Sequence, residues 1–136
     1  MSIAMEINEK ILEVLLAEAA LSPRLRKNFD MRNSEKDTSQ RMLNALCPGT
    51  DVPIHCHKDT SETVFCLKGR LEEIIYEEID QESTEKGIFK EVKRIMLAPS
   101  EGKYGMQIPL GTWHSINVIE PSVIFEAKDG MYQKQN

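Results

Sequence analysis

The sequence contains little cysteine, glycine and proline, and each scarcity excludes a class of protein. Only three of the 136 residues are cysteines, an odd number without a C-x-x-C pair, so a disulfide framework is not expected. Seven glycines and six prolines are too few for a collagen-like or low-complexity chain. The cysteines, Cys47, Cys56 and Cys66, are typical of a reducing compartment and of ordinary buried positions.

Long apolar runs and an excess of basic residues are also missing. No apolar stretch approaches the roughly 20 residues of a membrane helix, and the first residues lack the basic region and apolar core of a signal peptide. Seventeen lysines and arginines stand against 22 acidic residues, and a nucleic-acid backbone repels the resulting net charge of −5. We therefore expect a single cytoplasmic domain that binds neither membranes nor nucleic acids.

The N-terminal segment, residues 1–38, predicts one helix followed by a polar connector. Apolar residues spaced as on one helix face run from Ile7 to Ala19. The pattern ends before Pro23, because the residue preceding a proline avoids the helical conformation. We expect the helix to pack on the domain that follows. Residues 22–40 are rich in arginine and lysine, and they form either a solvated connector or a segment whose arginines meet an anionic ligand.

From residue 39 onward, short β-prone segments alternate with turn signals. This spacing, with few helical stretches, is typical of an all-β sandwich or barrel, which we place at residues 39–136. The acidic run Glu72, Glu73, Glu77 and Glu78 is typical of a solvated strand edge. The predicted strands are 41–46, 54–57, 62–67, 71–79, 88–97, 107–109, 113–119 and 122–128, with a polar hairpin loop over 80–87.

The three histidines of the chain and one glutamate form a candidate metal site. His55 and His57 lie in one predicted strand, where alternation points both imidazoles to the same face. Glu62 begins the next strand, and an antiparallel neighbour brings its carboxylate beside this pair. His114 is distant in sequence, but a curled sheet can place it opposite the others. Nitrogen and carboxylate ligands predict one divalent transition metal ion (Fe, Mn, Ni, Co, Cu or Zn) rather than Ca or Mg.

These residues resemble the two sequence motifs of the cupin superfamily. The segment 109–114, Pro-Leu-Gly-Thr-Trp-His, matches the core of the second motif. The segments 22–26, 40–46 and 125–132 extend the resemblance over nearly the whole chain to the WbuC family of cupin-fold metalloproteins. The fixed positions of the first motif are all matched, by Gly49, His55, His57, Glu62 and Gly69.

The resemblance implies a fold, a metal site and a broad function. The expected fold is all-β: a single cupin domain, a double-stranded β-helix or jelly-roll-like barrel, preceded by an N-terminal α-helix. The WbuC family is found near bacterial surface-polysaccharide genes. The resemblance therefore implies a metal-dependent protein that acts on a small, carbohydrate-derived molecule, and it makes a homodimer reasonable.

Other residues are candidates for the cavity around the ion. Arg41 and Glu126 are charges on predicted strands, and each either faces the cavity or lies on a wet outer face. Val64 and Cys66 lie on the predicted cavity face, where they line the cavity or pack the barrel. Because no histidine remains for general-base work, water activated by the ion, Glu126 or Tyr104 are the candidates for that role.

Three functions fit this pattern of residues. The first is a metal-dependent enzyme, either an isomerase, a lyase or a dioxygenase. The second is a non-catalytic cupin that binds a small molecule and acts as a sensor. The third is a barrel in which the ion only stabilises the fold, which requires a closed coordination sphere.

Overall fold

The computed structural model of the protein describes residues 4–80 and 88–130. The predicted hairpin loop over 80–87 lies outside the described residues except for its first position. Within the two described ranges, no helix has the length and apolar character needed to cross a membrane. The elements in chain order are α1 (Glu9–Leu21), β1 (Arg26–Asp30), β2 (Ser39–Leu46), β3 (Glu62–Asp80), β4 (Ile88–Leu97), a 3-10 turn (Pro99–Glu101), β5 (Gly105–Ile108) and β6 (Trp113–Asp129).

The strands of the described chain pair antiparallel in one sheet. Their order is β1-β2-β6-β3-β4, and β5 pairs with the first part of β3. Strand β3 has 19 residues and β6 has 17, and the two pair along most of their lengths. The first part of β3 pairs with β5 and the second part with β4, so both long strands contribute to two halves of a barrel. The prediction of an all-β chain with an N-terminal helix is confirmed.

Helix α1 covers the outer face of one half of the barrel. It begins at Asn8, whose side chain accepts a hydrogen bond of 3.2 Å from the backbone N–H of Ile11. It ends at Ser22, which is extended as expected before Pro23. The apolar stripe of the helix faces the sheet. This outer core contains Leu12, Leu15, Ala19, Leu43, Ala45, Cys47 and Val123.

The inner face of the same strands forms a second core. Successive side chains of a strand point to opposite faces, so β2 and β6 contribute to both cores by alternation. Apolar side chains fill one end of the interior, whereas the polar residues described below lie on the same inner face further along the strands. The inner core contains Leu46, Val64, Cys66, Leu71, Leu97, Ile108, Val118 and Ile124.

Two pairs of predicted strands are single strands. The segments 62–67 and 71–79 both belong to β3, and 113–119 and 122–128 both belong to β6. Their expected separation by turns was wrong, because the turn signals produce register shifts instead. Between Cys66 and Leu71 the pairing of β3 with β6 slips three times. Bulges of this kind bend a strand without removing it from the sheet.

Three further sequence predictions differ from the structure. The connector over 22–40 is not only solvated, since Arg26–Asp30 forms β1 and pairs with β2. The predicted strand 54–57 is not a strand, because its only ladder contact in the described chain is a single bridge from His55 to His114. The strand predicted at 107–109 lies slightly earlier, at Gly105–Ile108, where it pairs with β3.

Gly69 allows the irregular part of β3 to approach β6 closely. Its φ is +96°, which side chains disfavour. A Cβ at this position would overlap the carbonyl oxygen of Pro121 and lie 2.7 Å from Cα of Ser122. The backbone contact between the two long strands therefore requires glycine here.

We expect Gly69→Ala to lower the free energy of unfolding by about 2 kcal/mol or more, because strain and overlap combine. Gly102→Ala is the matched control: Gly102 also has positive φ, +76°, but a Cβ at that position would have no atom within 4 Å. Its expected cost is about 1 kcal/mol. Chemical denaturation of both variants measures the difference, and equal losses would contradict this account of the strand contact.

Candidate metal centre

The two motif segments lie side by side inside the barrel. The backbone N–H of His55 donates to the carbonyl oxygen of His114 at 3.0 Å, and the N–H of His114 donates back at 2.8 Å. The N–H of Gly111 donates to the carbonyl oxygen of His57 at 2.7 Å. These three hydrogen bonds bring residues that are distant in sequence to one place.

The structure brings the four predicted ligand residues together. One nitrogen from each of His55, His57 and His114 lies within 4.8 Å of the other two. Glu62 approaches the same point: its Oε2 is 3.1 Å from Nε2 of His57, and its Oε1 is 4.0 Å from Nε2 of His114. The three imidazoles thus converge on a common point, and the Glu62 carboxylate contacts two of them.

Two of the imidazoles are oriented by backbone carbonyls. Nδ1 of His55 lies 2.8 Å from the carbonyl oxygen of Pro53, and Nδ1 of His114 lies 2.8 Å from that of Thr112. Since a carbonyl oxygen only accepts, each Nδ1 carries the hydrogen and each Nε2 keeps its lone pair. Nε2 of His114 is buried and has no hydrogen-bond partner among the described residues. A buried, unpaired nitrogen with a fixed tautomer fits a metal ion.

The protonation states also suit metal binding. Burial, together with the neighbouring His114, lowers the pKa of His55 to about 4. Burial likewise lowers the pKa of His114. Burial alone raises the pKa of Glu62, but the His57 ring and the Lys128 ammonium outweigh it, so the net shift is downward. At neutral pH, His55 and His114 therefore present neutral imidazoles and Glu62 presents a carboxylate, the forms that bind metals.

Glu126 lies on the inner face of β6, which is one of the two alternatives that the sequence left open. It is opposite Val64, and its Oε1 accepts a hydrogen bond of 3.1 Å from Nδ2 of Asn44. Burial, together with the charge of Glu62, raises the pKa of Glu126 to about 7. The carboxyl group can therefore gain or lose a proton near neutral pH.

The prediction of a solvated strand edge is wrong for Glu73. Its side chain is 1% exposed, and neither carboxyl oxygen has a hydrogen-bond partner in the described chain. Burial raises its pKa well above the usual value, and the charges of Glu62 and Glu126 act in the same direction. The register shifts between Cys66 and Leu71 explain the error, because they reverse which residues of β3 face inward.

Two other candidate residues lie away from the cavity. Arg41 is on the outer face of β2, where its guanidinium donates to the Met31 carbonyl oxygen and to Asp37, so it holds the preceding loop. Tyr104 is 61% exposed, and its carbonyl oxygen pairs with the N–H of Cys66. That pairing is four residues from Glu62, about 13 Å along β3 at about 3.3 Å per residue.

Val64 and Cys66 share the inner face with Glu62 as predicted, and both are packed in the inner core.

Sequence reasoning missed Lys128 as well as Glu73. Nζ of Lys128 lies 3.6 Å from Oε2 of Glu62 and 3.5 Å from Nε2 of His57. The sequence does contain a signal for Lys128: it lies two residues after Glu126 on one strand, so the two side chains share a face.

Solved structures with related folds identify the architecture. Oxalate oxidase in complex with the substrate analogue glycolate matches with a TM-score of 0.55 and 17% identity over 83% of this chain and 55% of its own. KdgF from Halomonas sp. matches with a TM-score of 0.56 and 13% identity over 82% and 85%. The Cnp3 cupin domain of Schizosaccharomyces pombe matches with a TM-score of 0.51 and 12% identity over 77% and 64%.

These likenesses show the fold, which is that of the cupin superfamily, as the two sequence motifs predicted. The chain spans only about half the length of the oxalate oxidase that it matches. No curated protein sequence matches significantly. A family model described as a domain of unknown function, DUF6016, matches residues 7–87. Because this model covers more than half of the 136 residues, the protein belongs to the DUF6016 family and has the cupin fold.

Proposed function

We propose that the protein binds one divalent transition metal ion through His55, His57, Glu62 and His114. The observation that carries the proposal is Nε2 of His114, which is buried, keeps its lone pair and lacks a partner in the described chain. Nitrogen and carboxylate donors of this kind suit Fe, Mn, Ni, Co, Cu or Zn. The four-ligand set leaves coordination positions for a substrate, as in catalytic rather than structural sites.

We further propose that the protein is an enzyme that acts on a small molecule in the barrel interior. The ion supplies Lewis acidity, or redox chemistry if it is a redox metal, to the bound molecule. Glu126 is the residue that holds or moves a proton, because its pKa of about 7 lets it serve as acid or base near neutral pH. Asn44 orients this carboxyl group by donating to its Oε1.

The finer assignment rests on the resemblance to the WbuC family. It supports a carbohydrate-derived substrate linked to surface-polysaccharide metabolism, with isomerisation, lyase chemistry or dioxygenation as the candidate reactions. Sugar acids and sugar nucleotides are the compounds to screen with the metal-loaded protein. Turnover supports the enzyme, whereas a stable complex without turnover supports the non-catalytic sensor. Homodimer formation stays a prediction, which the molecular mass in solution tests.

Metal analysis tests the ligand assignment directly. We expect about one equivalent of ion per chain, and His114→Ala should weaken the affinity by more than about 100-fold, since changes to residues that only support a ligand already cost 10- to 100-fold. Ser115→Ala is the matched control, because Ser115 is the next residue of β6 and bonds to Tyr76 instead. Elemental analysis with competitive chelator titration measures both, and unchanged affinity in His114→Ala would contradict the four-ligand site.

The lowered pKa of His55 gives a pH test. In metal-free protein we expect His55 to titrate at about pH 4, by NMR of the imidazole protons, with His55→Gln used for assignment. An unfolded chain binds this proton near pH 6.5. Between these values the unfolded state holds more protons, so this group lowers the free energy of unfolding as the pH falls from about 6.5 to 4. Titration near pH 6.5 would show that the ring is not buried.

Glu126→Gln separates metal binding from proton transfer. We expect the variant to retain the ion, because Glu126 is not among the four proposed ligands, and to lose turnover of any substrate found by at least about 100-fold. Glu120→Gln, an exposed position on the same strand, is the control and should behave as wild type. Equal turnover in wild type and Glu126→Gln would remove Glu126 from the mechanism.

A further inference from the structure

Lys128 is a half-buried cation in contact with two proposed ligands. It lies on the inner face of β6, paired with Glu62 on one side and Gln40 on the other. Its side chain is only 14% exposed. Its ammonium is 3.6 Å from Oε2 of Glu62 and 3.5 Å from Nε2 of His57. A lysine of ordinary surface type would extend into solvent, so this placement requires a partner for its charge.

The charges around this ammonium do not balance once an ion is bound. Glu62 is the carboxylate that would face both the ion and Lys128, since its Oε2 lies 3.6 Å from the ammonium. A divalent cation and an ammonium beside a single carboxylate leave excess positive charge in a buried space. Such a space favours an anionic ligand.

We propose that Lys128 is a specificity residue that receives a carboxylate of the ligand beside the metal ion. This inference rests on the proposed metal site and names the class of molecule that the site takes. One ammonium and one ion offer two contacts, which match the two oxygens of a carboxylate. Phosphate sites more often use helix N-termini or arginine forks, and Arg41 is turned outward to the loop before β2.

Two side chains of β2 indicate the character of the rest of this ligand. Nε2 of Gln40 donates to the carbonyl oxygen of Gly130 at 2.8 Å, but its Oε1 is buried without a partner in the described chain. Asn44 donates to Glu126, and its Oδ1 is likewise buried and unpaired within the described residues. Both residues share the inner face with Lys128. Two unpaired acceptors are suited to ligand hydroxyl groups, so the ligand is a hydroxylated carboxylate.

The test uses the cobalt-loaded protein and two probes of nearly equal shape, glycolate and its neutral amide, glycolamide. Calorimetry measures the affinity of each probe, and chelator competition measures that of cobalt. We expect Lys128→Met to weaken glycolate by at least about tenfold, as for loss of a charge-assisted hydrogen bond. Glycolamide should change by less than about threefold. Cobalt affinity should not fall, because removing the ammonium removes a repulsion.

Companion variants make the result specific. Lys128→Gln repeats the neutralisation with a polar side chain, and Lys128→Arg should keep most of the glycolate affinity because it keeps the charge. Lys103→Met is the control, since Lys103 is an exposed lysine 3.8 Å from Glu101. It should bind both probes as wild type does.

Three outcomes would overturn the inference. Undiminished glycolate binding in both neutral variants shows that Lys128 does not receive the carboxylate. An equal loss of glycolate, glycolamide and cobalt shows that Lys128 has only a structural role. In both cases normal cobalt binding by the wild type leaves the proposed function standing. Failure of the wild type to bind cobalt instead overturns the proposed metal site and this inference with it.

Discussion

A pair of backbone hydrogen bonds between His55 and His114 holds the candidate metal centre together. Residues 54–57 form no strand of their own, so this bridge positions the first motif segment against β6. In both residues the ring Nδ1 then meets the carbonyl oxygen two positions earlier in the chain. The same contact between Nδ1 and a backbone carbonyl therefore orients the Nε2 lone pairs of both His55 and His114 toward the candidate centre. The backbone bridge thereby acts as a support for the ligands, comparable to the outer-shell contacts of metal sites.

Three carboxyl groups of the interior, those of Glu62, Glu73 and Glu126, have pKa values shifted in different directions. Glu62 lies beside the His57 ring and the Lys128 ammonium, which hold its pKa down despite burial. Glu73 and Glu126 lack such an ammonium at hydrogen-bond distance in the described chain, and burial raises the pKa of each. Neighbouring acids with divergent pKa values are a common basis for assigning distinct chemical roles. Here Glu62, beside the three histidines, has a lowered pKa, whereas Glu126 has a pKa of about 7.

The regular parts of the fold were predictable because their signals are local. Helix α1 followed from one apolar stripe and one proline, and β4 matches its predicted residues, 88–97. The errors fall where a local turn signal meets a long-range constraint. Two separate strands were expected on either side of Gly69, but the pairing with β6 continues across it, and β3 is one bulged strand. Likewise, β1 has a polar sequence, and only its pairing with β2 makes it a strand.

By itself, the sequence determined the residue types of the candidate centre, its two motif segments and the all-β class, since these depend on spacing within short stretches. Tertiary structure decided which neighbouring charges face the candidate metal centre. Arg41 points outward to the loop before β2, whereas Glu73 points inward because the register of β3 with β6 slips between Cys66 and Leu71. A single slip in that register exchanges the two faces. Local spacing cannot reveal such a slip, which arises only when the long strands pack against each other.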